Sequence, residues 1–157
     1  TEGIGQYLEL LGGDVDFISP MVYPSHYALG QVVNKIRYVK PDLEPYSVVY
    51  NTLLKAKTRI STVQGYKAVM RPYLQDFTAT WLGKGNYRQY GKDQAREQIK
   101  AVYDAGYEQW IFWNARNRYS EDAFLPENPA PAATPAVASA APAAPLEPEP
   151  VLEPVVP

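Results

Sequence analysis

Three apolar, strand-like runs separated by two amphipathic helical patterns most constrain what this chain can fold into. The runs cover residues 15–23, 67–74 and 109–114, and each carries apolar side chains on both parities. That pattern fits strands whose sheet is covered on both faces, and strands alternating with helices read as βα units on a parallel sheet. A helix is predicted ahead of the first strand, over residues 3–11, with Ile4, Tyr7, Leu8 and Leu11 on one stripe and Gly12-Gly13 as a left-handed stop. The second begins near Pro45, a favoured first-turn residue, and turns Tyr46, Val49, Tyr50, Leu53 and Ile60 inward while Lys55, Lys57 and Arg59 face water. The third spans 92–105, buries Ala95, Ile99, Val102 and Tyr103, and stops at Gly106. Three parallel strands leave two bare edges, and a helix that precedes every strand implies a further strand upstream. The expected architecture is α/β and incomplete.

Composition sets the limits of that domain. Residues 126–157 hold 10 of the 15 prolines and 9 alanines, with no aromatic residue, glycine, lysine or arginine. Such a stretch buries too little apolar surface to offset its ordering entropy, so a disordered Pro/Ala/Glu-rich tail or linker is expected there. Residues 1–125 then form the folded domain and carry all the aromatic side chains. Four of the 17 acids lie in the tail, which leaves 13 acids against 15 bases in the domain, although the whole chain reads −2. The basic residues are scattered, which argues against a nucleic-acid partner. No apolar stretch is long enough for a membrane span. With no cysteine and a single histidine, the chain offers no metal site and calls for no cofactor.

All three runs end in polar, ligand-like residues: Tyr23-Pro24-Ser25-His26-Tyr27, Gln75-Asp76-Phe77-Thr78 and Trp113-Asn114-Ala115-Arg116-Asn117. Ligands of α/β folds bind at the carboxyl ends of parallel strands, so these three segments mark one active rim. The loop from Pro24 to Glu44 is long enough to be functional, and the loop from Gln75 to Gly91 carries Trp81, Tyr87 and Tyr90 among glycines. Exposed rings beside a strand-end cleft suit the C–H faces of sugars, with Trp81 and Trp113 as the stacking candidates; equally, the tyrosines could simply pack the loops. His26 could bind a hydroxyl or shuttle a proton, or satisfy a local hydrogen bond. Asp76 is the one carboxylate directly after a strand on this rim. It could act as general acid, base or orienter, or serve as a loop staple or a partner for Arg71. An arginine inside a parallel sheet needs acceptors, and that of Arg71 is expected upstream. Glu121 and Asp122 follow Ser120 as first-turn acids.

The segments Asp16 to Tyr27, Arg71 to Phe77 and Trp110 to Asn114 together resemble the C-terminal motifs of a bacterial family, the putative glycosyl hydrolase domain. The resemblance covers roughly residues 3–124. It implies a (β/α)8 TIM barrel, of which the three runs would be about strands six to eight, so the N-terminal half of the same barrel would be the missing partner. It further implies a polysaccharide or oligosaccharide substrate and a site at Asp76 (catalytic) with Tyr23, His26, Gln75, Trp113 and Asn114 binding substrate. In related barrels the tryptophan that ends the last strand floors the sugar subsite, sometimes through a cis peptide bond, and Trp113-Asn114 resembles that arrangement.

Glycoside hydrolysis normally needs two carboxylates about 5 to 10 Å apart, and only Asp76 is in view, so the second would lie upstream and the fragment alone would be inactive. The leading expectation is the C-terminal half of a glycoside hydrolase barrel. The alternatives are a non-catalytic carbohydrate-binding barrel and a structural cell-envelope module. A Pro/Ala/Glu-rich tail fits a secreted or envelope-linked bacterial protein.

Overall fold

The structure, a computed structural model, describes residues 7–124. In chain order the elements are a helical turn α1 (Leu8–Leu11), strands β1 (Phe17–Ile18), β2 (Met21–Val22), β3 (Gln31–Val33) and β4 (Ile36–Tyr38), helix α2 (Pro45–Ile60), strands β5 (Val69–Met70) and β6 (Tyr73–Gln75), helix α3 (Lys92–Asp104) and strand β7 (Ile111–Trp113). Short 3₁₀ turns lie at Pro24–His26, Pro41–Leu43, Thr80–Leu82 and Glu121–Ala123. The expected helix start at residues 3–6 and the expected tail at 126–157 lie outside the described residues.

The fold is mixed α/β with parallel sheets. β1 pairs with β5, and the second sheet has the order β2-β6-β7, every pairing parallel. α2 connects the first strand run to the second, and α3 connects the second to the third. Each of the first two runs was expected as one strand, and each is divided. The register explains why. Phe17 faces Val69 and Met21 faces Tyr73, so Pro20 falls opposite Pro72. Neither proline has an N–H to give the ladder. Pairing nonetheless continues through the gap, because Arg71 N donates to Ile18 O (2.9 Å) and Tyr73 N to Pro20 O (2.8 Å).

One face of these strands carries the core. Val22, Met70, Leu74 and Phe112 meet Val49 and Leu53 of α2 and Ala95, Ala101 and Val102 of α3. The spacing of Ala95, Gln98 and Val102 places them on the sheet-facing side of α3. Tyr103, expected inside, is 52% exposed, and its hydroxyl instead accepts the indole N–H of Trp110 at 3.2 Å. Gly106 ends this helix at φ +80°, as a left-handed stop requires. Gly12 does not act this way. Its φ is −67°, and a side chain there would land inside the Tyr66 ring, so close approach is what demands glycine.

The opposite face of the strands is bare. Phe17, Met21 and Val69 all point there and are exposed, Met21 at 73%. The Arg71 guanidinium lies 4.1 Å over the Phe17 ring, and its Nε is buried without a hydrogen-bond partner. Among the described residues, therefore, Arg71 rests on an aromatic face and not on a carboxylate.

The long loop from Pro24 to Glu44 has its own structure. β3 and β4 form an antiparallel hairpin, closed by Asn34 and Lys35 at φ +48° and +68°. Val33 and Tyr38 of the hairpin pack on Val48 of α2, and the Tyr38 hydroxyl reaches Ser47 O (2.9 Å) and receives the Asn51 amide (2.9 Å).

Candidate functional site

A cleft of about 660 Å³ opens where β2, β6 and β7 end. That volume lies within the roughly 300–1,000 Å³ typical of ligand sites. His26, Asp76, Trp113 and Asn114, four of the six residues singled out from sequence, line it together with Phe77 and Trp81. The three strand ends thus converge on one rim.

Aromatic rings form one wall. The Phe77 and Trp81 rings stack with centroids 5.9 Å apart, and His26 meets both edge-on at 6.2 and 6.3 Å. Trp81 stands on the 3₁₀ turn Thr80–Leu82 and is 63% exposed, while Trp113, ending β7, is 48% exposed. His26 Nδ1 sits 3.0 Å from the Ser25 hydroxyl, which leaves Nε2 as the ring nitrogen without a partner among the described residues. Tyr23 does not line the cleft. It is buried behind the wall, edge-on to His26 (5.3 Å) and Phe77 (5.7 Å). Burial, reinforced by the neighbouring Tyr73 and Tyr119, pushes its phenol up to about 12, so the hydroxyl keeps its proton.

Gln75 is placed deeper still, fully buried, with its side-chain amide consumed by the protein. Oε1 accepts from Ser25 N (3.1 Å), and Nε2 donates to Asp42 Oδ1 (3.0 Å) and to Phe77 O (3.0 Å). Its backbone is clamped as well, since Gln98 of α3 accepts from Gln75 N (3.0 Å) and donates to Gln75 O (2.8 Å). Gln75 therefore cannot touch a substrate without breaking this network. Its work is to hold the first strand end, the second strand end and the 3₁₀ turn Pro41–Leu43 in fixed relation. Asp42, in that turn, is buried as a carboxylate against Gln75, the Arg88 N–H (3.1 Å) and Tyr90, whose hydroxyl donates to Asp42 O (3.3 Å). Desolvation raises the Asp42 carboxyl above its usual range, and the hydrogen bonds from Gln75, Arg88 and Tyr90 oppose that shift.

Asp76 lies at the floor, 4% exposed. Ser120 donates to both its oxygens, from the backbone N–H (2.6 Å) and from the hydroxyl (2.8 Å). Asn114 likewise serves its own loop. Its Nδ2 donates to Asp76 O (2.5 Å) and Arg118 O (2.6 Å), and its Oδ1 accepts from Arg116 N (2.8 Å). Asn117 adopts φ +52° inside that loop. All described peptide bonds are trans, Trp113-Asn114 included.

Sequence reasoning missed the Ser120 clamp and the Asp42–Gln75–Gln98 network. Ser120 carried a signal as the cap of an acidic turn; for Gln75 and Gln98, buried amides in polar-looking contexts, there was none.

A family model matches residues 1–119, that of the putative glycosyl hydrolase domain. The chain belongs to that family. The resemblance seen in the three motifs is thus shown over most of the chain. No curated protein and no solved structure matches the chain. Among the described residues no helix of this glycosyl hydrolase-like domain is long and apolar enough to cross a membrane.

Proposed function

We propose that this domain is the C-terminal portion, about strands six to eight, of a (β/α)8 barrel that hydrolyses a polysaccharide. The observation that carries the reading is the aromatic-walled cleft at the carboxyl ends of three parallel strands. In a closed barrel the bare face of the strands becomes the lumen, which gives Phe17, Met21, Val69 and Arg71 neighbours from the remaining strands. Trp81 and Trp113 stack on sugar rings, His26 offers Nε2 to a hydroxyl, and Asp76 is the assisting carboxylate. Tyr23, Gln75 and Asn114 act as positioning residues, since their polar groups or their burial keep them off the substrate. The second carboxylate that hydrolysis requires comes from the upstream strands. The Pro/Ala/Glu-rich composition of residues 126–157 supports a secreted or envelope-linked setting.

A second reading, a non-catalytic carbohydrate-binding barrel, is favoured by one observation. Asp76 is the one carboxylate lining the cleft among the described residues, and Ser120 engages both its oxygens. The full-length protein and its Trp81→Ala, Trp113→Ala and Asp76→Asn variants separate the two. Retention on a panel of glycans and release of reducing ends are measured together. Hydrolysis predicts retention that falls with either tryptophan and turnover that falls with Asp76. Retention without turnover in the unaltered protein supports the binding reading. Retention that survives both tryptophan substitutions removes the cleft from either.

A further inference from the structure

The charge of the cleft is one-sided. Its only lining carboxylate among the described residues, Asp76, has both oxygens engaged by Ser120, whereas two arginines, Arg116 and Arg118, also line it. Both arginine residues are exposed, and neither guanidinium has a protein hydrogen bond or ion pair among the described residues. Other arginines and lysines of the domain do have acidic partners: Arg59 pairs with Glu9, Arg88 with Glu97 and Lys100 with Asp104.

The arginines are also presented by a fixed rack. The Asn114 side chain bonds Arg116 N and Arg118 O, Asn117 N closes onto Asn114 O at 2.9 Å, and Ser120 ties the far end of the loop to Asp76. Five hydrogen bonds therefore hold a seven-residue loop whose residues are mostly exposed. Holding a binding loop in place before the ligand arrives lowers the ordering cost of binding. Guanidinium groups match the planar, bidentate geometry of carboxylates and the oxygens of sulfate esters.

We propose that the cleft takes an acidic polysaccharide, Arg116 and Arg118 pairing with its carboxylates or sulfate esters while Trp81 and Trp113 stack on its rings. This rests on the carbohydrate reading of the cleft and adds the substrate class. A generic polyanion binder is a poor description of the molecule, because the 15 bases of residues 1–125 are nearly balanced by 13 acids and are scattered along the sequence. The attraction is local to one loop.

The test is affinity electrophoresis of the full-length protein in gels containing polygalacturonate or alginate (carboxylate), κ-carrageenan (sulfate), or the neutral polymers hydroxyethyl cellulose and galactomannan. Retardation at least tenfold stronger in one acidic gel than in the neutral gels is expected, and the gel in which it appears identifies the anionic group. The Arg116→Gln, Arg118→Gln double variant should lose that preference, with its melting temperature within a few degrees of the unaltered protein. Trp81→Ala should weaken retention of the same acidic polymer, which mere charge attraction would not do. Equal retardation by acidic and neutral polymers, with Trp81 still required, overturns the acidic specificity and leaves the carbohydrate cleft standing. Retardation by no polymer overturns both. Acidic retention insensitive to Trp81→Ala marks nonspecific charge attraction and overturns the proposal.

Discussion

Ser120 holds both carboxylate oxygens of Asp76, one through its N–H at 2.6 Å and the other through its hydroxyl at 2.8 Å. The two residues are 44 positions apart, so this contact joins the end of β6 to the loop after β7. It also sets what Asp76 can do. A carboxylate whose two oxygens each accept a hydrogen bond is held in one orientation.

Ser120→Ala removes the hydroxyl and keeps the N–H, so the loop loosens without losing its anchor. Hydrogen bonds to charged groups contribute about 1.5–3 kcal/mol, which sets the expected loss in folding stability. Limited trypsin digestion offers a more local measurement, because Arg116 and Arg118 are the cleavage sites inside this loop. Faster nicking at both in Ser120→Ala is expected. Unchanged nicking would mean that Asn114 and the Ser120 N–H hold the loop without the hydroxyl.

Gln75→Leu tests the buried amide. The substitution fits the volume but strands Ser25 N, Asp42 Oδ1 and Phe77 O, all of which now bond to Gln75. Each unsatisfied buried group costs about 1–3 kcal/mol, so a loss of several kcal/mol in denaturant titrations is expected. A residue that contacted substrate at an open cleft would show the reverse pattern, with weakened binding and little change in stability.

That contrast shows where the sequence was legible. Helix α2 begins at Pro45 and α3 stops at Gly106, as their local chemistry demands, and the three strand runs lie where apolar residues occupy both parities. The strand-end rule also placed His26, Asp76, Trp113 and Asn114 around one cleft. Gln75 was misread because a buried amide and a substrate-binding amide look identical in one dimension. Its distant partners, 23 to 50 positions away, distinguish them. The β3–β4 hairpin escaped because its turn is Asn34-Lys35. Hairpin turns with two positive φ angles usually announce themselves with glycine at the second position. The strand interruptions were in plain view as Pro20 and Pro72, but their alignment depends on a register that no single strand reveals.

Asp42 gives a pH dependence whose sign follows from burial. Its folded-state pKa is raised above the ordinary 3.8, so the folded protein keeps a proton that the unfolded chain has released. Stability from this group is full below 3.8 and falls as pH rises through the raised value. Glu9 and Asp104, lowered by Arg59 and Lys100, act in the opposite sense as pH falls, but both are surface carboxylates and contribute little. Asp42→Asn removes the titration. Urea midpoints from pH 3 to 7 should therefore show the variant gaining on the unaltered protein as pH rises. The gain amounts to about 1.4 kcal/mol for each unit by which the pKa is raised. Parallel profiles for the two proteins would show that Asp42 is ionised at no net cost.

The bare face of the strands makes the last prediction. Phe17, Met21 and Val69 expose apolar surface side by side, and Arg71 keeps a buried Nε without a partner. A donor left without a partner is costly, and monomeric proteins rarely leave contiguous apolar patches of this kind uncovered. Expressed as the 157-residue chain, the domain is therefore expected to self-associate, with sedimentation coefficients that rise across the micromolar range and a broad thermal transition. Met21→Lys with Val69→Lys should shift the population toward monomer, because like charges on this face oppose face-to-face pairing. Exchanging the exposed Lys55 on α2 for glutamate should leave the association unchanged. A monomer with one sharp, cooperative unfolding transition would count against the barrel assignment itself, since it would mean that this face is stable in water without the remaining strands.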